Sequence, residues 1–494
     1  MSSVKMQPGV SAMSIYVPRF RVPLQRWCEW TGNCWDKVRT VIGRSFRVCA
    51  QHQNVYTMAA NAVFRLIRRN HIDPQSIGFM GLGTESSTDN SAGAIIVRGM
   101  VDQALEAHGL PRLSRNLEVP EYKHACLGGI YALKGALRYL AADGRARRAI
   151  VVCSDVARYE RGSTGEQTQG AGAVAILAEE HPRLFEVDLL NAGSASDYRG
   201  PDFRKPFARH IVVDEIAERA SRSTDFPVFS GKYSTYAYLD ETAHAVEEML
   251  RRLEVSAGRY YESVRALFFH RPYHQIPIQA MSFLYVRGMA RGTRHHQELK
   301  TLCQQAGVSY EEVIDESRSA PDLFDRLQKS EGMPTDPYSA TSRAAAVLRK
   351  QEKFIELLRY KMSLGSEMVV NLGNLYSAAL PAWIAAAFED AVRSGVELEG
   401  APMVALGYGS GDASEALPIR VAPDWFQPAG RIGFAEALAD PIDLTRNQYE
   451  ALHDGCKIDE LCYEPRGEFV ISRVGNKYER GFQDLGVEYY EYIP

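Results

Sequence analysis

Short apolar runs alternate with amphipathic segments along two long stretches of the chain, from about Val10 to Ala178 and from about Gly231 to Val421. Apolar residues at helical spacing predict helices over 56–69, from 128 to about 143, and over 242–252, and a further helix after Leu375. Continuous apolar runs predict strands over 78–83, 149–153, 264–269 and 403–406. This alternation predicts a layered α/β fold. Its occurrence in both stretches indicates an internal duplication, although no residue-level repeat is visible.

The same patterns divide the chain into three predicted parts: residues 8–198, residues 199–421 and a C-terminal extension over 422–494. The polar segment Arg199 to Phe226 separates the two repeated stretches. The segment Arg291 to Tyr338 has mixed charges and several Gly and Pro residues, so we predict an insertion there. Within the extension, Glu468 to Tyr492 predicts strands or an extended flap.

Composition narrows the class of protein. Hydrophobic residues make up 45% and charged residues 24% of the 494 residues, which is typical of a globular chain and excludes a disordered or collagenous one. The 57 Lys and Arg residues nearly balance 61 Asp and Glu residues, so the net charge of −4 offers no general attraction to nucleic acid or anionic membranes. The longest strongly apolar stretch, Leu380 to Phe388, is well short of the roughly 20 residues that a membrane span needs.

The N-terminal region contains no continuous apolar segment between Lys5 and Arg19, so no secretory signal is predicted. The eight cysteines include no C-x-x-C pair, which favours reduced thiols and gives no support for a zinc site. We therefore expect a cytoplasmic protein without a bound metal.

Cys126 has the most informative surroundings of the cysteines, because it directly precedes the helix predicted to follow Gly128 and Gly129. The positive end of a helix dipole and unpaired backbone N–H groups favour a thiolate at such a position. The two glycines let the backbone approach closely. A buried, inert cysteine explains the same pattern equally well.

His270 and Glu85 each follow a predicted strand, and catalytic groups of layered α/β proteins tend to lie at strand ends. Glu85 would serve as a general base if burial raised its pKa, and otherwise it is a loop acid. A histidine bonded to a nearby carbonyl is the plainer explanation of His270. None of the three residues identifies a function alone.

Several short motifs follow one another along the chain. The segment 121–129 holds the candidate nucleophile, and it is followed by SDVARY at 154–159, GEQTQGAGAVA at 165–175, PDFRKP at 201–206, GKYS at 231–234, FHRPY at 269–273, GNLY at 373–376 and YGSG at 408–411. In this order and spacing they resemble the hydroxymethylglutaryl-CoA synthases of the thiolase superfamily. The resemblance covers most of Val10 to Val421, and several motifs in the right order are more specific than any one of them.

The resemblance implies an α/β thiolase-like fold with two duplicated halves in α/β/α/β/α layers. It places the nucleophile at Cys126 in the half 8–198, and the general base at Glu85. The histidine that assists the acceptor is then His270, in the half 199–421. Two acids, Asp155 and Asp202, are implied to orient this cluster. Five further residues are implied on the substrate side: Tyr159, Thr168, Asn374, Tyr376 and Ser410. Without the resemblance, helix capping, ion pairing or turn chemistry would explain these seven residues.

Three departures from the family pattern are visible. Leu127 stands where an aromatic or small residue often follows the nucleophile, and we expect it to reshape the acyl pocket. Gln275 stands close to the position at which the family commonly has a lysine near coenzyme A. We therefore expect Arg204, Lys205 or Arg271 to supply the missing positive charge. The stretch between Phe207 and Asp225 is longer than the family pattern predicts.

The implied activity is a condensation of acetyl-CoA with acetoacetyl-CoA, or a related β-ketoacyl thioester, through an acetyl-cysteine and hydrolytic release. No cofactor, nucleic acid or membrane is implied, and the expected assembly is a homodimer. An acyl carrier protein could replace coenzyme A on the acceptor, so isoprenoid synthesis by the mevalonate pathway and polyketide β-branching both stay open. Two alternatives are a decarboxylating ketosynthase III-like enzyme and a catalytically weak homologue that binds acyl thioesters or acts as a scaffold.

Overall fold

The computed structural model describes residues 7–90, 93–205, 226–228, 230–330, 332, 334–456, 458 and 463–494. The long segment predicted between Phe207 and Asp225 lies outside these residues, as does Cys462. The strands of the described part are β1 (Gly9–Tyr16), β2 (Phe20–Pro23), β3 (Ser45–Val48), β4 (Ile77–Gly83), β5 (Glu121–Tyr122), β6 (Arg148–Ala157), β7 (Gly170–Glu179), β8 (Phe185–Val187), β9 (Gly193–Ser196), β10 (Ala266–Phe269), β11 (Pro402–Gly409), β12 (Ala413–Val421), β13 (Ile442–Asp443), β14 (Glu468–Val474), β15 (Tyr478–Glu479), β16 (Phe482–Gln483) and β17 (Glu488–Ile493).

The helices of the same residues are α1 (Leu24–Thr31), α2 (Trp35–Val41), α3 (Val55–Arg69), α4 (Gly93–Ala107), α5 (Gly128–Ala141), α6 (Lys232–Arg252), α7 (Ala257–Ser263), α8 (Ile276–Arg291), α9 (His296–Ala306), α10 (Tyr310–Arg318), α11 (Leu323–Gln328), α12 (Ser339–Leu348), α13 (Glu352–Met362), α14 (Ser366–Val369), α15 (Ala379–Ser394), α16 (Phe426–Ala429), α17 (Phe434–Leu438) and α18 (Arg446–His453). None of these helices combines the length and the apolar character that crossing a bilayer requires.

Strand order shows the duplication that the sequence only suggests. Among the described residues, ten strands form one sheet, and from its centre outward the first half runs β1, β7, β6, β4, β5 while the second runs β8, β12, β11, β10. In each half the strand next to the central one, β7 or β12, is antiparallel to both of its neighbours. The central strands β1 and β8 pair antiparallel. The same arrangement therefore runs outward in both directions, which confirms the predicted duplication.

Helices complete the predicted five layers. α3 packs on the outer face of β1, β6 and β7, and α6 packs on the outer face of β9 and β12. α5 and α15 lie between the two half-sheets, since α5 contacts β4 and β6 and α15 contacts β1, β10 and β11. The apolar stretch Leu380 to Phe388 lies in the N-terminal part of α15 and is buried on all sides, as a central helix must be.

Domain boundaries stay predictions. The short strands β8 and β9 pair with β12 of the second half, although both precede residue 199. The predicted insertion is helical, and its helices α9 and α10 pack against α8 and α12. In the C-terminal extension β14 and β17 form an antiparallel pair that contacts α3 and α4, which confirms the prediction of strands there.

One helix begins earlier than predicted, because a buried charge hides its apolar pattern. α6 begins at Lys232 rather than near Thr242, and its Asp240 and Glu241 are buried instead of exposed. Both carboxylates bind the guanidinium of Arg199, at 2.7 and 2.5 Å. Arg199 also binds Asp412, at 3.0 Å. This cluster joins the segment after β9, the helix α6 and the turn between β11 and β12.

Replacing Arg199 by methionine is expected to lower the free energy of unfolding by about 3–5 kcal/mol, because it leaves buried carboxylates without their cation. Urea denaturation followed by circular dichroism measures this. The matched control is Arg251→Met, since Arg251 pairs with Glu248 on the exposed face of the same helix, and little change is expected there. Equal destabilisation by the two substitutions would contradict the assigned role of the buried cluster.

Candidate functional site

The sulfur of Cys126 lies at a tight turn between β5 and α5. Ala125, directly before it, has a φ of 43°, a left-handed conformation that is uncommon for a residue with a side chain. Gly129 faces the core so closely that a Cβ there would come within 2.5 Å of the Cys153 sulfur and 2.8 Å of the Ser377 carbonyl oxygen. The glycine therefore lets the first turn of α5 reach both halves of the molecule, as the sequence suggests.

Glu85 meets Cys126 at this turn. The Cys126 thiol donates to Glu85 Oε2 at a sulfur to oxygen distance of 3.7 Å. Burial, together with the nearby charge of Asp155, raises the pKa of Glu85 to about 8, although Lys205 and Lys123 act in the opposite direction. The burial-raised pKa that a general base at Glu85 requires is therefore present.

The expected thiolate is not favoured in the free protein. Burial raises the pKa of Cys126 well above its ordinary value, and the carboxylates of Glu85 and Asp155 raise it further. These effects outweigh the start of helix α5, so the expectation of a depressed thiol pKa is wrong. The resting site holds a protonated thiol next to an acid of raised pKa.

Asp155 lies behind Glu85, at the end of β6. Its Oδ1 accepts hydrogen bonds from the backbone N–H groups of Glu85 and Ser86, both at 2.8 Å. Its Oδ2 accepts from the backbone N–H of Ser377 at 2.9 Å and from the hydroxyl of that residue. Asp155 thus fixes the backbone that carries Glu85.

His270 directly follows β10 and is 3% exposed. Its backbone N–H donates to the Leu406 carbonyl at 2.7 Å, and its own carbonyl accepts from the Tyr238 hydroxyl at 2.8 Å, so the backbone is firmly held. Burial lowers the pKa of the ring to about 3, which keeps the imidazole neutral. Within the described part of the chain, Nδ1 has no hydrogen-bond partner.

These groups surround a pocket of about 230 Å³. Six of the predicted site residues line it: Cys126, Tyr159, Thr168, His270, Asn374 and Ser410. Tyr376 packs with Cys126 and with the ring of Tyr159, at 6.2 Å between ring centroids. Asp202 is bonded to Ser234, which lines the pocket, and burial raises the pKa of this acid to about 6. The structure therefore brings nine predicted residues together around the pocket, with Asp155 supporting them from behind.

The sequence does not predict every residue that lines the pocket. Val41 and Ile42 come from the end of α2, far along the chain, and no local signal marks them. Tyr238 also lines the pocket, and it lies one helical turn after Ser234 on α6, so the i, i+4 spacing could have identified it. Among the described residues, no group of three or more His, Cys, Asp or Glu side chains has the arrangement of a metal site.

Two residues that the sequence analysis links to departures from the family pattern are buried in the structure. Leu127 is fully buried and packs on Gly407 and Gly409 of β11, so it lies in the core and the expectation that it shapes the acyl pocket is wrong. Arg271 is also buried, donates to Ser366 at 3.0 Å and stacks over Trp383. Its side chain also lines a narrow depression that shares Ile42 and Thr168 with the pocket, so Arg271 as the source of the missing charge stays a prediction.

Comparison with known proteins gives the same family throughout. Residues 5–182 match the family described as hydroxymethylglutaryl-coenzyme A synthase N terminal. A hydroxymethylglutaryl-CoA synthase of Haloferax volcanii is 26% identical over 443 residues, which cover 87% of this chain and 88% of that protein.

Solved structures agree in fold. MvaS in complex with 3-hydroxy-3-methylglutaryl coenzyme A has a TM-score of 0.76 at 22% identity, and the match covers 99% of this chain and 100% of that chain. The curacin biosynthetic pathway HMG synthase in complex with acetyl donor-ACP has a TM-score of 0.69 at 19% identity, with the same coverage. These matches confirm the thiolase-like fold. The chain is therefore similar to hydroxymethylglutaryl-CoA synthases along most of its length, and members of that family are acyl-transferring condensing enzymes.

Proposed function

We propose that this enzyme condenses acetyl-CoA with acetoacetyl-CoA through an acetyl-cysteine intermediate on Cys126. One observation carries the proposal: a thiol and a neutral imidazole line one small pocket, and the thiol donates to an acid with a pKa of about 8 at 3.7 Å. A nucleophile, a base and a hydrogen-bonding group are the parts that a two-step acyl condensation requires.

In the first step the Cys126 sulfur attacks the acetyl carbonyl carbon of acetyl-CoA. The bond between that carbon and the coenzyme A sulfur breaks, and the thiol proton ends on the departing sulfur. The product is an acetyl thioester on Cys126, which divides one difficult reaction into two easier ones. We propose that the backbone N–H groups of Cys126 and Ser410 hold the carbonyl oxygen as it gains charge.

In the second step Glu85 removes a proton from the methyl group of the acetyl thioester. The resulting enolate carbon attacks the ketone carbon of the acceptor, and the new alkoxide takes up the proton that Glu85 removed, which restores the carboxylate. His270 offers an N–H of its neutral ring to the acceptor oxygens. Water then hydrolyses the thioester, which releases the product and restores the thiol.

The other site residues have supporting roles in this proposal. Asp155 and Asp202 orient the reacting groups, while the substrate-side residues shape the cavity: Tyr159, Thr168, Asn374, Tyr376 and Ser410. The substrates are coenzyme A thioesters, and the proposed chemistry uses no further cofactor. A homodimer is the expected assembly.

Free acetoacetyl-CoA is the acceptor that the surroundings of the pocket favour. The pocket shares Ile42 and Thr168 with a narrow depression, which in turn shares Ser45 with an open groove of about 580 Å³. Arg39 and Arg44 border this groove. Guanidinium groups in this groove suit the phosphates of coenzyme A. The curacin synthase is solved with an acetyl donor-ACP, so a carrier-bound thioester is the alternative.

Cys126→Ser is expected to abolish the acetyl adduct and to leave the fold intact, because a hydroxyl is a far poorer nucleophile than a thiol at the same position. Intact-protein mass spectrometry after incubation with acetyl-CoA measures the adduct. Cys34→Ser, which changes an exposed cysteine, is the control and should keep it. An adduct on Cys126→Ser contradicts the assignment of the nucleophile, and no adduct on the parent protein favours a homologue that only binds acyl thioesters.

Glu85→Gln is expected to form the acetyl adduct but to condense it more slowly by roughly 10²–10⁴-fold, the usual contribution of one positioned base. In the parent the condensation rate should rise with pH and level off above about 8, because only the deprotonated carboxylate accepts the methyl proton. That rise should disappear in the variant. Rapid-quench measurement of product from preformed acetyl-enzyme gives both quantities. Equal loss of acetylation and condensation would make Glu85 structural and would favour a ketosynthase-type mechanism.

Arg39→Ala and Arg44→Ala are expected to raise the KM for acetoacetyl-CoA and to leave the KM for acetoacetyl-pantetheine unchanged, because the shorter thioester lacks the nucleotide phosphates. Steady-state assays with both acceptors, and with the same acyl group on a carrier protein, measure the difference. The exposed Arg420, changed to Ala, is the control outside the groove. A large preference of the parent for the carrier-bound acceptor contradicts the choice of free coenzyme A.

A further inference from the structure

The C-terminal extension reaches the wall of the pocket at the backbone of one residue, Tyr159. Tyr159 lies in the loop after β6, outside the pairing of the sheet, so its backbone N–H and carbonyl depend on other partners. The carbonyl oxygen lies 2.8 Å from Nε2 of His453, the last residue of α18. Because a carbonyl only accepts, Nε2 carries the proton and donates.

The N–H side of the same residue is held through a second side chain. Tyr159 N–H donates to Oε1 of Gln169 at 3.1 Å, and Nε2 of Gln169 donates to the hydroxyl of Tyr449 at 2.7 Å. That hydroxyl in turn donates to Glu166 at 2.7 Å. Tyr449 and His453 lie one turn apart on α18, so one helix face holds both ends of the Tyr159 backbone.

The side chain of Tyr159 shows what this arrangement positions. It is 3% exposed, lines the pocket and belongs to the apolar cluster that contains Cys126. Phe203 and Tyr376 contact its ring edge-on at 6.2 Å. The ring therefore borders the space beside the Cys126 sulfur, where an acyl group on that sulfur would lie.

We propose that His453 and Tyr449 of the C-terminal extension are positioning residues that set the acyl-size selectivity of Cys126 by fixing the Tyr159 backbone. The proposal rests on the proposed function, because it concerns which acyl group the thiol receives. Loss of the His453 donor leaves a buried carbonyl without its partner, and the loop then moves to satisfy it. The Tyr159 ring moves with its backbone, and the space beside the sulfur grows. One extra methylene is the smallest probe of that space.

The test compares loading of Cys126 from acetyl-CoA and from propionyl-CoA by intact mass spectrometry. His453→Ala is expected to lower the preference for acetyl by about three- to tenfold, the effect of one lost hydrogen bond. His453→Gln places an amide N–H near the original Nε2 and should restore most of the preference. The control is Arg446→Ala at the other end of α18, whose side chain binds Glu450 and the Trp30 carbonyl. It should leave the preference unchanged.

A merely structural role would lower both loading rates together, so an unchanged ratio in folded His453→Ala overturns the proposal. The same holds if Arg446→Ala shifts the ratio equally. If His453→Ala does not fold, Tyr449→Phe decides, since it removes one oxygen and should shift the ratio in the same direction. Failure of the proposed function is separate, because the parent would then load neither acyl group. In that case the rates at which iodoacetamide and the larger N-ethylmaleimide alkylate Cys126 are compared, because their ratio depends on the space beside the sulfur and needs no acyl transfer. An equal ratio of the two rates in parent and variants overturns the proposal.

Discussion

One buried carboxylate, Asp155, binds three separate segments of the chain into a single site. It accepts hydrogen bonds from Thr84, Glu85 and Ser86 at the end of β4, and from Ser377 of the opposite half. Its own position at the end of β6 is set by pairing with β7. An anion inside the core is costly unless every lone pair has a donor, and here both oxygens are fully used. The position of Glu85, and with it the distance to the Cys126 sulfur, follows from this one group.

The duplicated sheet explains why both halves are needed around the pocket. α5 and α15 lie together in the central layer, and the chain reaches the pocket directly before each of them, at Cys126 and at Asn374 to Tyr376. His270 and Ser410 arrive from the ends of β10 and β11 in the second half. Each half supplies only part of the pocket lining. The reacting thiol and the histidine therefore share a cavity only because the two halves pack across the central helices.

Much of this arrangement can be predicted from the sequence, since strands with continuous apolar runs and helices with apolar faces are local signals. The helix predicted at 56–69 agrees with α3 almost to the residue, and in the structure Asn54 caps its N-terminus. The ionisation of Cys126 could not be predicted, because the carboxylates that raise its pKa come from 41 and 29 positions away along the chain. The start of α6 was hidden for a similar reason, since Asp240 and Glu241 look exposed until Arg199 is placed beside them. Local patterns give elements, whereas burial and long-range charge decide how a given side chain behaves.

The order of synthesis gives the C-terminal extension a further significance. A nascent chain that has reached Val421 already contains every strand of the large sheet and the Cys126 turn. It does not yet contain Tyr449 or His453, so the Tyr159 peptide lacks the partners that hold it in the finished protein. A premature stop codon or a proteolytic cut after the sheet would leave a fragment that contains Cys126 but lacks the contacts of Tyr449 and His453. Helix α18 is thus synthesised after the sheet whose pocket-lining Tyr159 backbone it contacts.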